Sequence, residues 1–291
     1  METLREQGIS IKEWPSLTRP IVIAAFDGWG DALDISTGMA TYLIQKLRAK
    51  LFAKLNPDAF YRYDESRPLV SIDNGSLKTL STPGGSFYAA HTGSGKKDII
   101  ILKANEPSLR WFHFADEFFS LCERMGADTL ITLGSMLDNV LHTDRIVSGL
   151  ASSEELSQRL KQKNVALISY HGPSAVHSII HSEGQKRKFE CVSLWCHCPY
   201  YLQGTTHFGI LAHLGSLIAS LGEFELDTED LEENWKMLDD QLQGLIENNP
   251  KLQAIIKEIR KAKVRVSWEG MKDSIKKDGK VISLKNFLEP K

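Results

Sequence analysis

The sequence has few cysteines and no long apolar run. The first argues against a protein held together by disulfides, and the second argues against a membrane-spanning protein. Four of the 291 residues are cysteine, and three of them lie within residues 191–198. A chain of this length held by disulfides would spread more cysteines along its sequence, so no disulfide framework is expected. No stretch approaches the roughly 18 consecutive apolar residues of a membrane-spanning helix. The opening residues METLREQGIS contain no signal-peptide core, so we predict a cytoplasmic protein without a membrane partner.

An excess of positive charge is also missing. Lys and Arg together number 35 and Asp and Glu 37, which gives a formal net charge of −2. Recognition of nucleic-acid phosphates requires a basic face, so nucleic acid is not an expected partner. Apolar residues make up 42% of the chain and charged residues 25%, as is typical of globular proteins. The chain can therefore build a sizeable core.

The one glycine-rich segment that resembles a phosphate loop is incomplete. Residues 92–97 read TGSGKK, but a phosphate loop needs an earlier glycine where Ala90 stands and a Ser or Thr where Lys97 stands. It should also open a helix, whereas this segment leads into an apolar, strand-like run. The pattern favours a hairpin turn.

The clustered cysteines do not have the spacing of a structural zinc site. Cys191, Cys196, His197 and Cys198 lie in one run, whereas structural zinc needs two converging pairs of ligands. Neighbouring side chains of a strand also point to opposite faces. We therefore interpret the cysteines as buried packing residues and predict no metal site.

Two further histidines lie four residues apart. His177 and His181 would share a helix face, but the zinc-protease pattern needs Glu where Ser178 follows the first histidine. We interpret them as members of a solvated helix face.

Local motifs for a nucleophilic serine are absent. Ser135 follows Gly134, but Leu133 and Leu137 occupy the glycine places of the Gly-x-Ser-x-Gly elbow. A Ser–His–Asp set could still be assembled in space, because such triads are not contiguous in sequence. We predict no catalytic residues and no cofactor.

Hydrophobic periodicity predicts an α/β protein. Short apolar runs typical of buried strands alternate with segments of helical spacing, which indicates parallel βαβ units and a helix-covered sheet. Residues 60–90 alternate between apolar and polar side chains and predict several short antiparallel strands. The predicted strands are residues 20–26, 98–102, 129–133, 165–169 and 191–195, and the predicted helices are residues 33–51, 111–124, 154–161, 174–182 and 208–221.

The C-terminal region has a different organisation. We predict an α/β domain over residues 1–222, a helical hairpin over residues 223–265 with an acidic and a basic arm, and a loosely held Lys-rich tail over residues 266–291. The hairpin carries apolar stripes that must pack on the main domain or on another subunit.

The predicted strands end in loops that should meet at one edge of the sheet. The most informative loop is residues 27–31, DGWGD. It fits either a pair of carboxylates and an indole at the mouth of the sheet, or a glycine turn with Asp31 as a helix cap, and the cap is favoured. Trp29 and Trp195 fit either core positions or contact platforms.

An ordered set of short motifs at these loops resembles the proteasome assembly chaperone 2 family, in the bacterial form with a helical C-terminal extension. The resemblance runs from about residue 20 to residue 263. Its motifs are FDGWGDA at 26–32, NPDAFY at 56–61, RP at 67–68, EPSLRW at 106–111, LGSM at 133–136, HT at 142–143, GP at 172–173, SLW at 193–195 and PYY at 199–201.

The resemblance implies a three-layer α/β sandwich with a mixed, mainly parallel sheet, similar to phosphorylases and hydrolases. It also implies protein partners and a homo-oligomer, with trimers among the family's forms, and relatives that bind proteasome α-subunits. Relatives that insert into proteasome rings end in a hydrophobic residue, Tyr and any residue, whereas residues 287–291 read FLEPK, so that route is not expected. The candidate ligand- or partner-binding residues are Asp27, Gly28, Trp29, Asp31, Arg67, Glu106, Arg110, Gly134, His142, Thr143, Gly172, Pro173, Trp195, Pro199 and Tyr200.

Two functional hypotheses follow. The favoured one is a non-enzymatic protein-interaction protein that resembles an assembly chaperone. The alternative is a ligand-binding or hydrolase- or phosphorylase-like enzyme acting on a nucleoside- or phosphate-type substrate in the strand-end cleft. Its polar groups would be Asp27, Asp31, Glu106, Arg110 and His142.

Overall fold

The computed structural model describes residues 8–93 and 97–265 of the chain. Within these ranges a large sheet has the strand order β1-β3-β6-β7-β2-β8-β11-β9-β10, and β4 and β5 form a separate two-stranded ribbon. The strands are β1 (Ile9–Ile11), β2 (Ile21–Asp27), β3 (Lys50–Leu55), β4 (Leu69–Asp73), β5 (Ser76–Ser81), β6 (Gly85–Ala90), β7 (Ile99–Asn105), β8 (Thr129–Asp138), β9 (Val147–Ala151), β10 (Ala166–Leu167) and β11 (Glu190–Pro199).

The centre of the sheet is parallel and its edges are mixed. Strands β7, β2, β8 and β11 run parallel to one another. The strands β1, β3 and β6 are added antiparallel on one side, and β9 is antiparallel to β11 on the other. The central strands are near-continuous apolar runs because both faces of the sheet are covered.

Helices cover both faces of the sheet. They are α1 (Ile35–Lys46), α2 (Pro57–Phe60), α3 (Trp111–Arg124), α4 (Glu154–Gln162), α5 (Val176–Lys186), α6 (Phe208–Gly222), α7 (Glu229–Glu247) and α8 (Pro250–Arg265). Alternate residues of β2 point to opposite cores: Ile21 and Ile23 pack with α1, α4 and α6, while Val22 and Ala24 pack with α3 and α5. The predicted three-layer α/β architecture with a mixed sheet is confirmed.

The C-terminal helices are present as α7 and α8. Their apolar stripes, which include Trp235, Leu238 and Ile256, pack with Tyr201 and Leu202 at the end of β11. The stripes are thus covered largely by each other and by the main domain. The division into domains stays a prediction, and the tail at residues 266–291 lies outside the described residues.

Several element predictions were wrong in detail. The helix predicted over residues 33–51 ends at Lys46, because Arg48 adopts a left-handed φ of 50° and the chain turns into β3. Strand β9 was not predicted, and the strand predicted over residues 165–169 shrinks to the two residues of β10. The predicted turn at residues 92–97 lies partly outside the described residues. No helix in the described segments is long and apolar enough to cross a membrane.

Candidate functional site

The carboxyl ends of β2 and β8 meet at the point where the order of the strands reverses. From β2 the chain first builds the β3–β7 side of the sheet and then crosses to β8 on the other side. Ligand and partner sites of open α/β sheets lie at this type of crevice. Asp27 is the last residue of β2, the predicted loop residues 28–31 follow it directly, and Gly134 lies in β8.

The two strands separate before they end. Strand β2 pairs with β8 as far as Ala25, opposite Leu133, but continues with β7 as far as Asp27. The carbonyl of Leu133 instead accepts hydrogen bonds from the Ser36 hydroxyl and from Nε2 of His177, both at 2.8 Å. The buried main-chain oxygen at the split is therefore satisfied by side chains from α1 and α5.

Asp31 ties the loop to the first turn of α1. Its Oδ1 accepts from the Ser36 amide at 2.6 Å, and its Oδ2 accepts from the Thr37 amide at 3.3 Å and the Thr37 hydroxyl at 2.6 Å. Burial raises the pKa of Asp31 from 3.8 to about 6 against the lowering effect of these bonds. The favoured cap interpretation needs one correction, because a short 3-10 turn separates Asp31 from α1 and shifts the start of the helix to Ile35.

Glu106 has the same role for α5. Its Oε1 accepts from the amide of Val176 at 2.7 Å, and the carboxylate also accepts from the amide of Trp29. Burial raises its pKa. Two of the three carboxylates that the sequence offered as polar groups for a substrate, Asp31 and Glu106, are thus engaged with main-chain N–H groups.

Trp195 forms the floor of the crevice. It lies on β11 directly opposite Gly134, and a Cβ at position 134 would come within 2.8 Å of the indole ring. A Cβ at Gly30 would also approach the ring, at 3.1 Å. The two glycines leave room for a flat aromatic side chain that is half-buried, so the sequence motifs around Gly134 and Trp195 are explained by packing.

The interpretation of His177 and His181 as a solvated helix face was wrong. Both side chains are buried, at 2% and 6% exposure, and burial lowers the pKa of each to about 4. The ring of His177 packs 4.9 Å from Trp195, centroid to centroid. Since Nε2 of His177 donates to a carbonyl, the ring is the neutral Nε2–H tautomer.

Several large apolar side chains are exposed, among them Trp29 in the loop that follows β2. Trp29 is 65% exposed and Tyr170 62%, and Leu137 and Leu167 are exposed as well. Next to the carboxyl end of β2 lies an open groove of about 610 Å³ between the end of β7 and the root of the β4–β5 ribbon, with a mainly polar lining that includes Asp27 and Lys103. Asp27 itself accepts from the Asn105 amide at 3.0 Å. Exposed aromatic groups next to a polar rim are typical of protein contact surfaces.

The PAC2 family model matches residues 25–246. The chain belongs to the PAC2 family. This match confirms the resemblance drawn from the ordered motifs.

Several solved structures share the fold. A PAC2 family protein from Streptomyces avermitilis is 24% identical, with a TM-score of 0.72 over 81% of this chain and 99% of its own. A proteasome-assembly chaperone homologue from Mycobacterium tuberculosis is 23% identical, with a TM-score of 0.73 over 81% and 99%. An archaeal proteasome activator from Pyrococcus furiosus is 20% identical, with a TM-score of 0.61 over 81% and 97%. No curated protein matches the chain.

A second group of predicted residues in this PAC2 protein lies apart from the crevice, against the C-terminal helices. The Tyr201 hydroxyl accepts from the His142 amide at 2.7 Å and lies 2.8 Å from His142 Nδ1. That hydroxyl therefore donates to Nδ1, which leaves the proton on Nε2, 3.8 Å from Asp239 of α7. Burial lowers the pKa of His142. Pro199 is buried and Tyr200 half-buried beside this group.

The remaining predicted residues are not brought into either group. They lie on exposed segments and make no hydrogen bond with Asp31, Glu106 or His142 in the described ranges. They are Arg67, Arg110, Thr143, Gly172 and Pro173.

The four cysteines are buried, as predicted from their packing interpretation. Burial raises the pKa of the Cys191 and Cys198 thiols to about 12, so both are protonated at neutral pH. Among the described residues no group of three potential ligands is arranged to hold a metal ion.

One row of hydrogen-bonded polar side chains, at the carboxyl ends of β8 and β11, was not predicted from the sequence. Oδ2 of Asp138 lies 2.7 Å from Nδ1 of His197, and Nε2 of His197 lies 2.9 Å from the hydroxyl of Ser148. The three residues come from β8, β11 and β9, and their registers place them on one face of the sheet with Trp195. No local motif signals such a set, and the strand that carries Ser148 was not predicted at all.

Proposed function

We propose that this PAC2 protein is a protein-interaction protein of the assembly-chaperone type, and that it works in the cytoplasm as a homo-oligomer. Family membership supports this role, as do relatives described as a proteasome-assembly chaperone homologue and a proteasome activator. The observation that carries the proposal is the apolar face of the β4–β5 ribbon.

The register of the ribbon collects its apolar side chains on one face. Val70 pairs with Leu80 and Ile72 with Leu77, so these four side chains lie on the same side of the two strands. Each of them is between 56% and 64% exposed. We call this group the ribbon face. A contiguous apolar surface of this kind marks an interaction site, because an isolated two-stranded ribbon is marginally stable in water.

We assign a second copy of this chain as the occupant of the ribbon face. A two-fold symmetric interface brings the same surface of two copies together, so one apolar stripe can be covered by the same stripe of a second copy. The net charge of the ribbon is compatible with self-association. Its one acidic residue, Asp73, and its one basic residue, Lys78, give no net charge, so two ribbons would not repel each other.

Polar substitutions on the ribbon face should dissociate the oligomer. In light scattering after size exclusion, we expect the native protein to exceed the 32.7 kDa of one chain. The double variant Ile72→Ser, Leu80→Ser should raise the dissociation constant at least about 100-fold, because two buried apolar side chains are lost.

Leu69→Ser is the matched control. Leu69 lies on the same strand and is 74% exposed, but it points to the opposite face, so its replacement should leave the mass unchanged. A native mass of one chain, or equal dissociation by Leu69→Ser, would count against the ribbon as the self-association surface.

The crevice is the surface that we propose for the assembly partner. Trp29 is exposed and large, as hot-spot residues of interfaces are. The relatives make a proteasome subunit of the source organism the first partner to test. We expect Trp29→Ala to weaken co-purification of that subunit at least about tenfold and to change the free energy of unfolding by less than about 0.5 kcal/mol. Leu137→Ala tests whether an exposed apolar residue of the adjacent strand β8 has the same effect.

A further inference from the structure

We propose that Ser148, His197 and Asp138 form a serine nucleophile site that can be acylated by small esters with apolar acyl groups. The site lies on the rim but uses none of the predicted binding residues for its chemistry. It would be an activity additional to the proposed interaction role.

The hydrogen bonds assign a role to each residue. Asp138 is held on both sides: Oδ1 accepts from the Asn139 amide at 2.7 Å, and Oδ2 accepts from His197 at 2.7 Å. These bonds and the neighbouring imidazole lower the pKa of Asp138 against the effect of burial, so the carboxylate is ionised at neutral pH. The carboxylate fixes the proton of His197 on Nδ1.

That tautomer leaves Nε2 of His197 as an acceptor for the hydroxyl proton of Ser148, 2.9 Å away. This is the arrangement of a nucleophile, a general base and an orienting acid that acyl-transfer enzymes on unrelated folds use. The serines nearest in the sheet are placed differently: the hydroxyl of Ser135 donates to the Ala32 carbonyl, and that of Ser193 accepts from the Trp195 indole.

The surroundings indicate the substrate class. Ser148 and His197 are each 6% exposed, so access is restricted to a small group. Trp195 lies directly opposite Ser148 on the neighbouring strand, and Met136 lies opposite His197; both are half-buried. They provide an apolar wall beside the hydroxyl, which favours a short apolar or aromatic acyl group over a charged one.

The reaction balances with water as the co-reactant. Ser148 Oγ bonds to the carbonyl carbon of the ester while its proton passes to His197 Nε2, and the imidazolium then protonates the departing alcohol as the ester C–O bond breaks. Water, deprotonated by His197, hydrolyses the acyl-serine to the free acid and restores the hydroxyl.

A fluorophosphonate probe tests the nucleophile directly. The probe phosphonylates an activated serine with loss of fluoride, and intact-mass spectrometry followed by peptide mapping locates the adduct. We expect one adduct on Ser148 of the full chain and none on the Ser148→Ala variant. His197→Gln and Asp138→Asn should slow labelling about 10³–10⁴-fold.

The control is Ser157→Ala, which removes a half-buried hydroxyl that donates to the Ser153 carbonyl one turn earlier and should label like the native protein. The rates at which the variants hydrolyse 4-nitrophenyl acetate should rank in the same order as their rates of labelling. No adduct on the native protein, or an adduct that persists in Ser148→Ala, would overturn the proposal. The mass of the same variants in light scattering should equal that of the native protein, because Ser148 lies far in the fold from the ribbon face. The labelling result can therefore fail without affecting the proposed self-association.

Discussion

Replacement of Asp31 by alanine is expected to lower the free energy of unfolding by about 2–4 kcal/mol at neutral pH. The substitution leaves the amides of Ser36 and Thr37 without their acceptor in a buried position and removes the bond from the Thr37 hydroxyl. It also frees the loop that presents Trp29. Chemical denaturation monitored by circular dichroism measures the change.

Asp34→Asn is the comparison for this variant. Asp34 is exposed, makes no capping bond through its side chain, and adopts a left-handed conformation that asparagine tolerates equally well. We expect that change to stay within about 0.5 kcal/mol of the native protein. Equal losses from the two substitutions would show that the Asp31 carboxylate does not anchor α1.

The same carboxylate should make the stability depend on pH. The pKa of Asp31 is raised from 3.8 to about 6 in the folded chain, so the folded state binds more protons than the unfolded state between these values. The stabilisation from its protonation is complete below about pH 4 and is lost as the pH rises through about 6. Relative to Asp31→Asn, which does not titrate, the native protein should therefore lose up to about 3 kcal/mol across that range. A difference between the two proteins that does not vary with pH would contradict the raised pKa.

The sequence predicted the elements whose signal is local. The apolar runs that became β2, β7, β8 and β11 are buried on both faces, so their composition alone revealed them. By contrast, β9 reads VSGLA and owes its place to pairing with β11 and β10. Its position depends on contacts distant in sequence, and periodicity in a five-residue segment cannot show that.

The site shows the same limit. The loop after β2 was identified because glycine, tryptophan and acids in a turn between a strand and a helix are informative by themselves. The burial of His177 was missed because it depends on the Leu133 carbonyl and on Trp195, which belong to other elements. The Ser148–His197 pair was missed for the same reason, since its members approach only through the register of two strands. The order of the short motifs along the chain was enough to predict the family. The hydrogen-bond partners of these side chains could not be predicted, because they depend on the tertiary structure.

Gly134→Ala is expected to lower the free energy of unfolding by about 2–3 kcal/mol, because the added methyl group meets rigid atoms. The new Cβ would lie 2.8–2.9 Å from three atoms of the Trp195 indole. The ring cannot retreat easily, since it also adjoins Gly30 and the buried ring of His177. We expect the displaced indole to shift its fluorescence emission and to slow the labelling of Ser148, which lies opposite Trp195 in the sheet.

Gly244→Ala tests whether a methyl group as such has this effect. Gly244 lies within α7, and a Cβ there meets nothing within 4 Å. Alanine should therefore stabilise the helix by about 0.5–1 kcal/mol, with unchanged labelling of Ser148. Opposite signs for the two substitutions are the expected result, because one glycine accommodates a neighbouring ring and the other has free space. If Gly134→Ala is as stable as the native protein, Trp195 is not held by the two glycines, and the apolar wall proposed beside Ser148 loses its support.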